Sequence, residues 1–275
     1  MDVYSPLSLG HALGLLAAHD ALPAAGCTDL LVNIKRGKIV KKAIVDITGI
    51  PELARICRTD QGVTLGGAAT FSRLEDQFLG TPYECLSQAA AQVGAPQIRN
   101  RGTIAGNVVS GSPASDGSVA LLALDAELTL EKAAGCRMLP IAEFFRGYAA
   151  TALEPGELIT RIHIAPRRGS SAFVKLGKRN ALAISIVSLA IYLEMDGDTV
   201  THIAVALGSA APIPMRASRT EAFLRGQILQ QDIIRQAAQL LSEELQPISD
   251  LRGSAEYRLA VARELFSDLL ERRLK

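Results

Sequence analysis

The sequence predicts an α+β protein, and three observations carry that prediction. Strand-like and helix-like segments follow one another irregularly, without the regular βαβ alternation of a doubly wound nucleotide fold. Three long, apolar, strand-like runs stand together between residues 171 and 209. The tail beyond them has helical periodicity. With 275 residues, 48% of them hydrophobic, the chain has material for one large domain or two smaller ones.

From the N-terminus, Ser8 is placed to cap a first helix running to about residue 20, with Leu9, Leu13, Leu16 and Ala17 on one face. A short apolar piece enters "AAGCTDLLVNIKRG", where a small-residue turn opens a helical segment. "AIVDI" (43–47) reads as a strand, "TGIPEL" as a turn, and "ARICRTDQGVTLGG" as a hairpin about Asp60-Gln61-Gly62. Helices are expected over 70–79 and 83–93. The stretch "RNRGTIAGNVVSGSPASDG" (99–117) then reads as a long polar loop. "SDGSVALLALDA" is expected to be a buried helix and "AELTLEK" a strand.

A break falls at "APRRGS" (165–170). After it come the strands "SAFVKLGK", "SIVSLAIYLEMDG" and "TVTHIAVALGS", the last two joined by the hairpin turn "DGD" at 196–198. "SRTE" (218–221) has capping-box spacing. Further helices are expected over 230–245 and 254–273. In the last, Tyr257, Val261, Leu265 and Leu269 recur every fourth residue as a packing stripe.

Composition narrows the function. Basic and acidic residues number 29 and 28, and no basic run stands out, which argues against a nucleic-acid partner. No span approaches the ~18 to 20 apolar residues needed to cross a bilayer. "MDVYSPLSLGHALGLL" carries Asp2 and no basic segment ahead of its apolar residues, so a secretory signal is not expected and the predicted location is the cytoplasm. Cys27, Cys57, Cys85 and Cys136 lie far apart, the pattern of reduced thiols. His11, His19, His163 and His202 are equally scattered, and no metal site is expected on this chain. No acid–base pair or activated nucleophile is evident either, so no catalytic side chain is assigned.

Two segments carry possible chemistry. In "AAGCTDLL" (24–31), small residues let a ligand approach the backbone, Thr28 offers a hydroxyl, and Asp29 stands where it can cap the next helix. Successive N–H groups at such a turn form an anion site, although an ordinary capped helix start has the same composition. In "RGTIAGN" (101–107), Gly102 and Gly106 permit close backbone approach, Thr103 and Asn107 offer hydrogen bonds, and Arg99 and Arg101 offer charge. "GSPASDG" adds a second turn with Asp116 near a helix start. A polar surface loop held by Asn and Asp turns is the plain alternative. Neither segment is a Walker loop or has Rossmann GxGxxG spacing.

Taken together, the two loops resemble those of the FAD-binding subunit of the molybdenum hydroxylases. That family includes bacterial xanthine dehydrogenases and the medium subunit of aerobic carbon monoxide dehydrogenases. Ala25-Gly26-Cys27-Thr28-Asp29 matches the family's Ala-Gly-Gly-Thr-Asp-type loop. "QIRNRGTIAGN" (97–107) matches "QIRNRGTIGGN", and Ser112 to Asp116 matches Ser-Pro-Ala-x-Asp. "LLALDAELTL", "KLGKRNALAISIVSLA" and the helical tail extend the likeness over almost the whole chain. Two positions depart from the pattern, Cys27 and Ala105, where the family has glycine. Both are small enough for close approach, provided neither needs positive φ.

The resemblance implies a two-part FAD-binding domain of the vanillyl-alcohol-oxidase-like (PCMH) type over 1–167, with subdomains of about 1–55 and 56–167. It implies a carbon-monoxide-dehydrogenase-flavoprotein-like domain over 168–275, a three-stranded antiparallel sheet with helices. Backbone contacts to the FAD diphosphate and ribityl chain are implied for Ala24, Ala25, Gly26, Cys27, Thr28, Asp29 and Leu30. The second set is Thr103, Ile104, Ala105, Gly106 and Asn107. Asp116 is implied toward the adenosine side, and Ile159 and Lys175 at further contact positions. Ile159 equally fits a packed strand residue, and Lys175 a surface lysine. Val93 corresponds to a position beside the flavin, or to a core residue. Tyr148 and Tyr192 are the remaining aromatic candidates for stacking, with a core role expected of each.

As a function, the resemblance implies an electron-transfer subunit of a multi-subunit oxidoreductase, with xanthine dehydrogenase the commonest bacterial setting. A large subunit would hold the molybdenum cofactor and a small one two [2Fe–2S] clusters, arranged as a dimer of heterotrimers, with NAD as acceptor. The alternatives are another molybdenum hydroxylase (for carbon monoxide, aldehydes or N-heterocycles), a scaffold subunit with a decayed flavin site, or a stand-alone flavin enzyme.

Overall fold

A computed structural model describes residues 2–179 and 182–272, and every structural statement below refers to those. Residues 180 and 181, within the "KLGKRNALAISIVSLA" run, and residue 273, the expected end of the last helix, lie outside them.

The N-terminal part is a small parallel sheet of β1 (Asp2–Tyr4), β2 (Ala21–Ala24) and β3 (Ala43–Asp46), in the order β1-β3-β2. Helices α1 (Leu9–Ala18) and α2 (Leu30–Lys35) make the crossovers. Ser8 caps α1 by accepting the His11 N–H at 3.4 Å. Ala12, Leu13 and Leu16 of α1 are buried in a cluster that includes Val45 and Leu53.

A second unit begins with the hairpin of β4 (Ile56–Thr59) and β5 (Gly62–Gly66). Helices α3 (Phe71–Leu74), α4 (Glu84–Ala91), α5 (Pro96–Arg99), α6 (Ile104–Val109) and α7 (Asp116–Ala123) follow. Strands β6 (Glu127–Lys132) and β7 (Gly135–Pro140) come next, then the small hairpin of β8 (Phe145–Gly147) and β9 (Ala150–Thr151), and β10 (Leu158–Ile164). The five-stranded antiparallel sheet runs β4-β5-β10-β6-β7.

The C-terminal sheet is antiparallel, β11 (Ser170–Gly177), β12 (Ser185–Asp196), β13 (Thr199–Gly208) and the two-residue β14 (Met215–Arg216). It is backed by α8 (Ser218–Leu224), α9 (Gln231–Glu244) and α10 (Ala255–Glu271). The predicted three strands are thus joined by a short fourth.

The pleat of this last sheet positions the centre of the molecule. Val187, Leu189, Ile191 and Leu193 of β12 point to α9 and α10, and Ala190 and Tyr192 point to the other face. On β13, Val205 and Leu207 face the helices, while Ala204 and Ala206 face away. Ala190, Ala204 and Ala206 make part of that second face shallow, and α7 lies directly on it. Every residue of α7 is buried. A helix apolar almost all round has no solvent face, and α7 is packed between the two larger sheets accordingly.

Several local expectations are corrected. The polar stretch 99–117 is no continuous loop, because it contains α6 and the first turn of α7. The helix expected over 70–79 is the single turn α3. Ser218 is no cap: Ala217 occupies that position, and the Glu221 carboxylate instead accepts the Val205 N–H at 2.8 Å and the Arg216 Nε at 2.6 Å. In α10 the buried stripe is Arg258, Ala262, Phe266 and Leu269–Leu270, one residue on from the predicted one, which leaves Tyr257 exposed.

Candidate functional site

The two loops meet. A Cβ on Gly26 would stand 2.0 Å from the Arg101 carbonyl oxygen and 2.9 Å from Gly102 Cα, so only glycine fits there. Thr28 Oγ1 lies 3.6 Å from the Cβ position of Gly102. The carboxyl end of β2 and the turn before α6 therefore form one continuous wall.

The first loop carries the anion-binding geometry. Among the described residues, the N–H groups of Gly26, Cys27, Thr28 and Asp29 have no protein acceptor, and all four residues are open at least in part. A run of unpaired donors around a residue of left-handed conformation is a nest for anionic oxygens. Cys27 is that residue, with φ 59°. The proviso on positive φ thus fails here: the family glycine stands where the backbone is left-handed, and this chain places a side chain there. Burial raises the Cys27 pKa, the Asp46 carboxylate adds to it, and Arg101 opposes it, so the thiol stays neutral. Asp29 stands before α2 but makes no capping bond, and its Oδ2 accepts from Asn33 Nδ2 at 2.9 Å.

The second loop is mostly satisfied internally. Ile104 N–H donates to the Ala69 carbonyl (2.9 Å), Ala105 N–H to Gly67 (3.3 Å) and Asn107 N–H to Thr103 (3.0 Å). Thr103 Oγ1 caps α6 by accepting the Gly106 N–H at 3.2 Å. Ile104 and Ala105 are buried, and Gly106 is the exposed residue of the set. Ala105 is helical, and its methyl lies 3.3 Å from the Cβ position of Gly67, away from solvent. Alanine is compatible there. Ile159 is a core residue whose carbonyl presses on Gly67, 2.0 Å from its Cβ position, so it reaches the site only through backbone.

From α6 the wall continues to α7. Asn107 Oδ1 accepts from Ser115 Oγ at 2.6 Å, and Ser115 Oγ shares a hydrogen bond with Ser118 Oγ at 2.6 Å. Next along, Lys175 Nζ donates to Asp116 Oδ2 at 2.5 Å and to the Gln92 carbonyl at 3.0 Å. Both side chains are buried, so Lys175 is no surface lysine. Burial pushes the Asp116 carboxyl up to about 6, against the opposing pull of the Lys175 charge. Its Oδ1 has no partner.

Lys175 borders two adjoining hollows, and Asp116 the smaller of them. One, of about 210 Å³, is lined by Val93, Asn107, Asp116, Lys175, Leu182 and Ile184 among others. The other, of about 550 Å³, adds Gln92, Arg99, Leu176 and Arg179 and shares Gly94, Lys175, Leu182 and Ala183. Val93 packs on the core and also lines the first hollow. Neither tyrosine lines either hollow. Tyr192 is buried, its hydroxyl accepting the Arg168 and Gly169 N–H groups, and Tyr148 is 77% exposed rather than in the core. Sequence reasoning missed Gly67, Gly94, Leu182 and Ala183; the paired glycines 66–67 were the one signal for the first of these.

Residues 1–167 match the family described as the FAD binding domain in molybdopterin dehydrogenase, and residues 172–272 match the CO dehydrogenase flavoprotein C-terminal domain. The chain is 31% identical to the nicotinate dehydrogenase FAD-subunit of Eubacterium barkeri, over 98% of this chain and 96% of that one. It is also 31% identical to a putative xanthine dehydrogenase FAD-binding subunit of Escherichia coli, over 92% and 88%. Among solved structures, a carbon monoxide dehydrogenase chain of Hydrogenophaga pseudoflava superposes with a TM-score of 0.90 at 31% identity, over 98% of this chain and 95% of that one. No helix among the described residues is long and apolar enough to cross a membrane.

Proposed function

The chain belongs to the FAD-binding subunits of the molybdenum hydroxylases, and we propose that it carries electrons between a partner's [2Fe–2S] clusters and a soluble acceptor. Bound FAD would supply the chemistry, taking electrons singly and giving them up as a pair. The observation that carries the reading is the row of unpaired N–H groups from Gly26 to Asp29, walled by Arg101 and Gly102. Four consecutive donors without a protein acceptor suit a diphosphate, whose charge needs hydrogen bonds that bulk water no longer provides.

Thr103 to Asn107 would continue this wall, with Gly106 at the surface and Ile159 beneath. Ala24, Ala25 and Leu30 flank the nest. An extended dinucleotide starting at this nest runs along α6 to the hollow at Asp116 and Lys175. Val93 and Asp116 line one hollow, while the two ring systems of extended FAD lie far apart. A ring beside Val93 is therefore the ring that Asp116 touches, and we assign it to the isoalloxazine rather than the adenosine. The acceptor, NAD, would approach through the larger hollow, whose Arg99 and Arg179 suit an anionic partner. The assembly would be a cytoplasmic dimer of heterotrimers with a molybdenum-cofactor large subunit, of xanthine dehydrogenase type.

The test is the visible spectrum of the purified chain incubated with FAD. A flavin spectrum near one equivalent is expected, with a drop of at least tenfold in bound FAD for Gly26→Val, whose side chain displaces the Arg101 carbonyl. A chain that stays colourless with FAD would make it a scaffold subunit and overturn the proposal.

A further inference from the structure

Under α7 lies a polar residue that no part of the site so far uses. Ser188 of β12 is fully buried, and its Oγ has no hydrogen-bond partner. Its Cα partner on β11 is Lys175 and its Cα partner on β13 is Gly208. Directly opposed residues on neighbouring strands project from the same face, which here is the face that α7 covers. A Cβ on Gly208 would meet Ser188 Oγ at 2.5 Å, Val119 Cγ2 at 2.8 Å and the Pro113 carbonyl at 3.1 Å. The hydroxyl is thus held beneath the first turn of α7, beside Lys175 and the Asp116 carboxyl.

A buried hydroxyl and a buried carboxylate oxygen, Asp116 Oδ1, both without a formed partner, stand side by side. Such pairs are rare, because each unmet group carries its full desolvation cost. The surroundings offer no other partner charge. Lys175 is the charged group that the carboxyl faces among the described residues. From α6, Asn107 is engaged with Ser115, and from the end of α4 the Gln92 carbonyl is engaged with Lys175.

We infer that Ser188 is a positioning residue for the cofactor site. Its hydroxyl donates to the Asp116 carboxylate and, with Lys175 on the neighbouring strand, sets the carboxyl's orientation and charge toward the bound ring. The inference rests on the FAD reading above. An ionised Asp116 accepts a ring N–H, and a protonated one competes as a donor, so the hydroxyl favours FAD binding by favouring the charged form. The shift that burial imposes on the carboxyl is opposed by Ser188 as well as by Lys175.

The test is titration of the full apo-chain with FAD, followed by flavin fluorescence, between pH 5 and 8. In the wild type, affinity should rise with pH through the Asp116 transition. Ser188→Ala should move that midpoint up by about one unit, so that affinity falls about fivefold near pH 6 and less than twofold at pH 8. Ser188→Thr, which restores the hydroxyl, should recover the wild-type midpoint. In an Asp116→Asn background, Ser188→Ala should change nothing further. An equal loss at every pH, or an unmoved midpoint with Asp116 dependence intact, overturns the role of Ser188. Absence of FAD binding by the wild type overturns the FAD reading instead.

Discussion

At Cys27 a side chain occupies a left-handed backbone position, φ 59°, in the middle of the nest from Gly26 to Asp29. A non-glycine residue there costs roughly 1 kcal/mol or more, and the geometry persists because Gly26 is fixed against Arg101 on the other loop. Cys27→Gly removes the strain but gains freedom in the unfolded chain, which offsets part of the benefit. A net stabilisation of up to about 1 kcal/mol is expected, with bound FAD unchanged. Thermal melts and flavin content of the variant check this; a destabilised Cys27→Gly would show that the thiol itself holds the loop. Torsion is what the sequence could not display. Cys27 and Ala105 look equivalent as letters, yet the first is left-handed and the second sits in a helix with its methyl turned inward. Gly106 illustrates the same limit. Its Cβ position meets Thr103 Oγ1 at 2.9 Å, so a larger residue there breaks a helix cap before it tests any ligand contact.

The element that ties the site together is α7, whose first residue is Asp116 and whose body lies on the alanine-bearing face of the C-terminal sheet. Its existence and burial were legible as an apolar run after "SPASD". Less legible was the use of the hydroxyls before it. Ser110 donates to the Asn107 carbonyl at 2.6 Å, and Ser115 binds Asn107 and Ser118, so much of the polarity in 99–117 folds the segment on itself. These bonds depend on α6 and α7 converging, which no local pattern reports. Asp116 also gives this element a pH signature. Its folded value of about 6 exceeds the ordinary 3.8, so between those values the native state keeps a proton that the unfolded chain releases. Stability therefore falls as pH rises through that window, by up to roughly 3 kcal/mol, and levels off above it. Asp116→Asn should flatten this part of the curve of Tm against pH for the apo-chain. A curve as steep as that of the wild type would place the transition on another group.

At the scale of the whole molecule, α7 has its second end in an ion cluster between the two larger sheets. Asp125 closes the helix in the left-handed conformation, φ 48°, with its N–H on the Leu122 carbonyl and that of Ala126 on Leu121, both at 3.1 Å. Its carboxylate pairs with Arg167, at 3.0 Å, and with Arg216 of the C-terminal sheet. The same arginines donate to the carbonyls of Leu124 and Leu122, at 2.5 and 3.0 Å, and Arg167 lies over the Tyr192 ring at 4.8 Å. Cations at a helix C-terminus are favoured by its dipole, so Arg167, within the break at 165–170, and Arg216, beyond it, fasten the C-terminal part to this helix end. Asp125→Asn keeps the size and the tolerance for positive φ while removing the charge. It should cost about 1–2 kcal/mol and loosen Arg167, whose side chain is only 12% exposed. Limited trypsin digestion followed by mass spectrometry should then show faster cleavage after Arg167 in the variant. Equal cleavage rates would mean that sheet packing on α7, and not the ion cluster, joins the two parts. Because α7 is short and buried along its whole length, a C-terminal end set free also moves Asp116 at the other. Loss of the Asp125 charge should therefore weaken FAD binding without any contact to the cofactor.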